Sequence, residues 1–190
     1  GNDNIILATA QGMAICFNEN DVRCMGRDAA GVRGITLNEG DIVVGAQKWE
    51  EGKTLLTVTE NGYGKRTELP EYLRTGPDGE KVPQSRGGKG LKNYNITPKT
   101  GNVAGCVVVG ETDDVMLIEN GGVIIRVPAN SINVYKRDMQ GVIVMRIEEG
   151  NKLVSLECVP NVNTDDVEEF PEERNAADII PGNLSEDTGE

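Results

Sequence analysis

An arginine and a glycine recur at a fixed spacing three times in this chain of 190 residues. The pattern Arg-x-x-x-Gly occurs at Arg27–Gly31, Arg86–Gly90 and Arg137–Gly141. Arginine donates charge-assisted hydrogen bonds to phosphate oxygens, and glycine lets a backbone approach a ligand closely. Because a turn requires the glycine but not the arginine, the recurrence indicates a repeated anion contact. The alternative is that these residues serve only the turns of a repeated fold.

The motifs belong to longer units that predict the fold. A short apolar run and a turn precede each motif, and the turns contain Gln11-Gly12, Asn61-Gly62 and Asn120-Gly121. A period near 50 residues, built from short β-branched runs, is typical of blade repeats. We therefore predict an all-β, propeller-like repeat of four-stranded blades over residues 1–160. Its three units cover about 2–48, 53–109 and 113–159.

Local signals support short hairpins in these units. Asn61-Gly62 lies between Thr54–Thr59 and Tyr63–Thr67, and such a dipeptide favours a two-residue type I′ turn. Strands of this kind expose their edges, and stacking of neighbouring units covers them. The chain opens directly into a strand motif, which indicates a segment of a longer protein.

The negative charge is concentrated at the C-terminus. Residues 161–190 hold ten of the 31 acidic residues and one of the 19 basic ones, a net charge of −9. Residues 1–160 have a net charge of −3. The terminal segment has few large apolar residues, so we predict an acidic, disordered tail. The tail either has no role or competes with an anionic ligand for a basic face.

The residue types exclude several kinds of site. The chain has no histidine, so His-based general bases and His metal ligands are excluded. Its four cysteines are Cys16, Cys24, Cys106 and Cys158, and no two of them form a C-x-x-C pair that would indicate zinc. We predict that they are small buried apolar residues. We also expect them to be reduced, which indicates the cytosol. No apolar run is long enough to cross a membrane. We therefore predict no catalytic residue, no metal site and no cofactor in this segment.

The second motif is the most basic. Residues 65–99 hold eight basic and four acidic residues, a net of +4. The motif departs from a nucleotide P-loop because Gly90 follows Lys89 where Ser or Thr is required. Strand-like flanks argue against a disordered Arg-Gly-Gly segment. Aromatic residues are scarce (two Phe, four Tyr and one Trp), whereas single-strand binders stack bases on such rings. These features favour the backbone of a duplex, contacted without regard to sequence.

At these residues the chain resembles a known family. The segments Val32–Ile35, Glu39–Asp41, Thr59–Thr67 and Gln140–Val144 are similar to the C-terminal domain of DNA gyrase A. Gln84–Gly90 resembles that family's box, Gln-[Arg/Lys]-Arg-Gly-Gly-[Arg/Lys]-Gly, except that a serine replaces the second residue. The units look like the last three of six blades.

The resemblance implies a β-pinwheel whose blades exchange strands and whose basic rim wraps duplex DNA. It implies a contribution to negative supercoiling by an ATP-dependent type II topoisomerase, in which other domains use ATP and Mg²⁺. Its partners would be double-stranded DNA, the rest of gyrase A and gyrase B, in the bacterial cytoplasm at the nucleoid. The alternatives are the DNA-binding blades of topoisomerase IV and a protein-interaction propeller without a role on DNA.

The residues expected to contact DNA combine motif residues with nearby cations. The glycines among them would shape the second loop. The expected DNA-binding residues are Arg27, Arg33, Lys65, Arg66, Gln84, Arg86, Gly87, Gly88, Lys89, Gly90, Lys92, Arg137 and Arg146.

Overall fold

A computed structural model describes residues 1–160 of the protein. The predicted tail lies outside the described residues. The first unit contributes β1 (Asn4–Thr9), β2 (Met13–Asn18) and β3 (Val43–Lys48). The second contributes β4 (Thr54–Thr59), β5 (Tyr63–Glu68), β6 (Arg74–Thr75), β7 (Lys81–Val82), β8 (Leu91–Lys92) and β9 (Val103–Val109). The third contributes β10 (Asp114–Glu119), β11 (Ile124–Pro128), β12 (Val142–Ile143) and β13 (Leu153–Val159). The predicted all-β repeat is confirmed.

Each of the first two sheets takes its outermost strand from the following unit. The first sheet has the order β3-β1-β2-β8, and the second has the order β12-β5-β4-β9. Both added strands are antiparallel and short, with Ala14 opposite Leu91 and Gly64 opposite Val142. Among the described residues the third sheet has three strands, β11-β10-β13. The exchange covers the exposed edges of β2 and β5, as the pinwheel resemblance implied.

The hairpin at Asn61-Gly62 differs from the predicted turn. The amide of Gly62 donates to the carbonyl of Thr59 at 2.9 Å, so Glu60 and Asn61 are the central residues of the turn. Gly62 follows them with φ of 78°, and the Tyr63 amide donates to the Thr59 hydroxyl at 3.3 Å. A single residue with positive φ after the turn is a glycine bulge, so the type I′ prediction is wrong. In the third unit the equivalent glycine is Gly122, one residue later than predicted.

The apolar core lies between consecutive sheets. One cluster joins the first two sheets through Ile6, Cys16, Leu55 and Cys106, and another joins the last two through residues such as Leu117. The innermost strand β9 contacts both β3 and β13. A side chain at Gly45 would overlap Cys106, and one at Gly105 would overlap Leu156. These glycines therefore let the inner strands approach closely, which places β8 and β12 on the outside.

The cysteines have three different environments. Cys16 and Cys106 are buried, as predicted, and burial raises the pKa of both thiols to about 12. Cys158 is half-buried, whereas Cys24 is exposed. The prediction of a buried residue is wrong for Cys24 because its segment, after a 3-10 turn at Glu19–Asp21, does not pack into a sheet core.

Candidate nucleic-acid interface

The three motif loops lie at the outer side of the sheets. In the second and third units, the motif leads directly into the donated outer strands β8 and β12. The motif glycines Gly31, Gly90 and Gly141 have φ of 79°, 76° and 71°. This left-handed conformation is one that glycine adopts without a steric cost. The last residue of each motif therefore has the same backbone conformation in all three loops.

Close contact with the preceding unit is a second reason why the last residue of the second and third motifs is glycine. A Cβ at Gly90 would overlap the carbonyl oxygen of Ala14, and a Cβ at Gly141 would overlap that of Gly64. At Gly31, by contrast, nothing lies within 4 Å of the corresponding point. The difference arises because β2 and β5 accept the strands that follow Gly90 and Gly141. The glycine thus serves strand exchange as well as the turn.

The second motif loop packs directly on the first unit. The Gly87 amide donates to the Gly34 carbonyl at 2.8 Å, and the Thr36 amide donates to the Gly88 carbonyl at 2.8 Å. The Thr36 hydroxyl also donates to the Gly87 carbonyl at 2.7 Å. These three bonds join the first and second loops. A bond from Arg137 to the Lys92 carbonyl joins the second and third, so consecutive loops form one continuous row. We call these three loops, with the residues up to five positions beyond each motif glycine, the loop row.

The repeated arginines bind backbone within the loop row. One Arg137 Nη atom donates to the Lys92 carbonyl at 2.8 Å. Arg86 makes the equivalent bond to the Arg33 carbonyl, and its Nε donates to the Asp21 carbonyl at 3.0 Å. Both arginines are half-buried. The arginine therefore has an intramolecular partner at each of these two boundaries, which sequence reasoning did not anticipate.

Lys65 is not at the surface, so its assignment as a DNA contact is wrong. Its side chain is fully buried, and Nζ donates to the carbonyls of Lys136 and Arg137 at 2.7 and 2.5 Å. Nζ also lies 5.4 Å from the centre of the Tyr94 ring. Burial lowers the pKa of Lys65 to about 7. The third motif loop covers this lysine. The burial could not be predicted from the hairpin alone, because the covering residues lie about 70 positions later in the sequence.

Arg66 is also placed away from the surface, and its assignment is corrected for the same reason. It is 4% exposed, its Nε donates to the Ile132 carbonyl at 2.7 Å, and Nη1 lies 2.6 Å from Oε1 of Glu111. Its backbone bonds to Asn133 and Tyr135 on either side. Arg66 thus anchors the segment that leads into the third motif loop.

The other predicted residues divide by exposure. Gln84 is half-buried, with its amide nitrogen donating to the Tyr72 carbonyl at 3.2 Å. Gly87 and Gly90 are half-buried in the loop and Gly88 is exposed. Lys92 is exposed, and its Nζ donates to the Asn95 side chain at 2.9 Å. The exposed cations of the loop row are Arg27, Arg33, Lys89, Lys92 and Arg146.

The cations are unevenly distributed along the loop row. The second loop has Gly88 and Lys89 where the third has Met139 and Gln140, and Lys92 corresponds to Ile143. Met139 and Ile143 are 50% and 54% exposed. An anionic ligand would therefore meet more positive charge at the second loop than at the third.

Sequence reasoning missed Tyr94 as a residue that supports the loop row. It is 1% exposed, and its hydroxyl donates to the Gln140 carbonyl in the third motif. The residue four positions after each motif glycine is large and buried: Ile35, Tyr94 and Met145. Alignment of the three units on their motif glycines would have shown this apolar position.

The described residues lack two further kinds of feature. Residues 1–160 contain no group of three or more Asp, Glu or Cys side chains placed to hold a metal ion. Across that part of the chain, no helix is both long enough and apolar enough to span a membrane.

Comparisons with known proteins identify relatives of the whole repeat. A family model described as "DNA gyrase C-terminal domain, beta-propeller" matches residues 3–49, 53–109 and 113–160. DNA gyrase A of Staphylococcus epidermidis is 42% identical over 168 residues, which cover 87% of this chain and 18% of that protein. DNA gyrase A of Escherichia coli K12 is 38% identical over 159 residues, covering 84% of this chain and 17% of that protein.

Two solved structures share the fold over most of the chain. A structure of the DNA gyrase A C-terminal domain has a TM-score of 0.74 at 29% identity, covering 84% of this chain and 51% of that one. The C-terminal domain of DNA topoisomerase IV has a TM-score of 0.74 at 27% identity, covering 84% and 47%. The chain spans about a fifth of the length of the curated relatives. The resemblance seen in the motif residues is confirmed, and the chain belongs to the DNA gyrase C-terminal domain, beta-propeller family.

Proposed function

We propose that this chain binds and wraps duplex DNA along the loop row and so serves negative supercoiling by DNA gyrase. The observation that carries the proposal is that the motif loops of successive units contact one another and carry exposed cations. Phosphate contacts by such cations are independent of sequence. The whole enzyme would be an ATP-dependent type II topoisomerase using Mg²⁺ in the bacterial cytoplasm at the nucleoid. The partners of this chain there would be the rest of gyrase A and gyrase B.

Local charge supports this proposal despite the acidic composition. The net charge of −12 includes −9 from residues 161–190, while residues 65–99 have +4. A polyanion responds to the local field of a surface and not to the net charge of the chain. Wrapping is also feasible for a duplex, because bending about 25 base pairs costs a few kcal/mol that several phosphate contacts offset.

Neutralising the exposed cations is the direct test. We expect the triple variant Arg33→Gln, Lys89→Gln and Lys92→Gln to lose three phosphate contacts. The slope of log K against log salt would then become shallower by about 2.7, at roughly 0.9 for each contact. The measurement is a titration of linear duplex at several salt concentrations, repeated with duplexes of unrelated sequence.

A matched control removes the same charge elsewhere. Lys48, Arg126 and Lys152 are exposed, lie outside the loop row and pair with Asp3, Asp114 and Glu60. Their triple Gln variant should keep nearly the full slope. Wrapping itself is read from a closed circular plasmid treated with a nicking–closing enzyme, where the unaltered chain should trap positive writhe. Equal slopes in both triple variants would contradict the proposal, and no duplex binding by the unaltered chain would favour a protein-interaction module.

The acidic C-terminal segment should weaken this binding. Removal of residues 161–190 takes away nine net negative charges that compete with phosphates for the loop row. We expect tighter duplex binding at low salt and a difference that shrinks above about 0.5 M salt, where the Debye length falls to a few ångströms. A full-length variant with the segment's carboxylates replaced by amides separates charge from length. Unchanged affinity at low salt in both variants would show that the segment has no electrostatic role.

A further inference from the structure

We propose that Arg86 and Arg137 each hold two consecutive blades together by a hydrogen bond to a backbone carbonyl of the preceding unit, a contact that we call the clasp. The clasp thereby positions the residues that contact DNA. The bond from Arg86 ends on the Arg33 carbonyl, and the bond from Arg137 ends on the Lys92 carbonyl. Arg33 and Lys92 both lie two residues after a motif glycine. The same bond is therefore made at two successive unit boundaries.

Because the acceptor of each clasp is a backbone carbonyl, the bond does not depend on the side chain of the residue that supplies it. A backbone carbonyl is present whatever residue occupies the position, which is Arg33 in the first unit, Lys92 in the second and Ile143 in the third. A guanidinium offers several fixed N–H donors, so it can bind a carbonyl and a second acceptor together. Arg86 does so, because its Nε also donates to the Asp21 carbonyl. The arginine of the second and third motifs thus follows from the contact that each motif loop makes with the preceding unit.

The clasp acts on the residues best placed to meet a phosphate. Arg33 and Lys92 are exposed cations, and their backbones are the groups that the clasps bind. Next to the Arg137 contact, the amides of Asn93 and Tyr94 donate to the Gly12 carbonyl at 2.7 and 3.1 Å. Loss of the clasp would loosen the backbone of this segment and would leave the distance between the cations Arg33 and Lys92 less well fixed. Arg86 and Arg137 are then positioning residues, while Arg33, Lys89 and Lys92 are contacts.

Arg137→Met removes the clasp while keeping an apolar stem, and Lys89→Met is the comparison because Lys89 is an exposed loop cation. Amide hydrogen exchange of the whole chain without DNA gives the first readout. We expect Arg137→Met to speed exchange at Asn93 and Tyr94 by about tenfold, and Lys89→Met to leave both amides unchanged. This readout does not depend on the proposed DNA function, so a clasp could be established even if the chain failed to bind duplex.

Duplex binding gives the second readout and rests on the proposed function. We expect Arg137→Met to keep the salt slope within about 0.3 while trapping less writhe per bound chain. Lys89→Met should make the slope shallower by about one, as expected for a lost phosphate contact. Unchanged amide exchange in Arg137→Met would overturn the clasp. A slope change of about one in Arg137→Met would also overturn it, because that arginine would then be a phosphate contact.

Discussion

Replacing Gly141 with alanine is expected to destabilise the protein far more than replacing Gly31, although both residues hold the same place in the motif. Both have positive φ, of 71° and 79°, so the backbone cost of alanine, about 1 to 2 kcal/mol, is common to the two variants. Only at Gly141 does the new Cβ overlap a neighbouring backbone, at the Gly64 carbonyl. We expect an additional loss of about 2 to 3 kcal/mol there, as in overpacked cores.

The measurement is the free energy of unfolding by urea, taken on the 190-residue chain. Gly90→Ala adds a second test of the same contact, because its Cβ would overlap the Ala14 carbonyl. We expect it to behave like Gly141→Ala. Equal losses for Gly31→Ala and Gly141→Ala would mean that the motif glycine serves the turn alone, and that strand exchange does not bring β12 close to β5 in solution.

The second large effect is a pH dependence of stability that comes from Lys65. Its pKa is about 7 in the folded chain and about 10.4 in an unfolded one. Between these values the unfolded chain binds more protons, so the free energy of unfolding rises with pH. The stability gained from an unprotonated Lys65 is therefore complete above about pH 10.4. It declines as the pH falls below that value and is lost once the pH has fallen through 7. Relative to Lys65→Met, the unaltered chain should gain up to about 1.4 kcal/mol per pH unit between about pH 7.5 and 9.5.

A matched lysine separates this effect from other titrations. Lys99 also lies 5.4 Å from a tyrosine ring, that of Tyr63, but it is exposed. The stability of Lys99→Met should follow the unaltered chain at every pH in that range. Parallel curves for Lys65→Met and the unaltered chain would show that Lys65 keeps its proton in the folded state.

Part of the molecule could be read from local residue patterns. Short β-branched runs between Gly, Asn and Asp turns predicted an all-β repeat, since such residues suit pleated strands. The recurrence of Gly31, Gly90 and Gly141 predicted equivalent loops, and all three have positive φ. The Gln84–Gly90 motif indicated the family. These features depend on residues that are close in sequence, so local chemistry is sufficient to predict them.

Which side chains are exposed to solvent could not be predicted from local residue patterns. In β5 the residues from Gly64 to Thr67 are all buried, so the alternation expected of a half-exposed strand is absent. The following unit supplies β12 and the carbonyls that accept hydrogen bonds from Lys65 Nζ, and both come from residues about 70 to 80 positions later. Lys65 and Arg66 are therefore internal, although their hairpin sequence reads as a cationic surface. The same kind of long-range contact, from Arg137 to Lys92, gives the motif arginine a partner inside the protein.

The sequence by itself determined the all-β repeat, the phase of its motifs and the family to which the chain belongs, because each is encoded in residue types that recur or lie close together in the chain. The tertiary structure decided which cations face outward and which hold neighbouring units together. Strand exchange is the physical reason. Each of the first two units is covered by residues of the next, so the environment of a side chain such as Lys65 depends on a segment far along the chain.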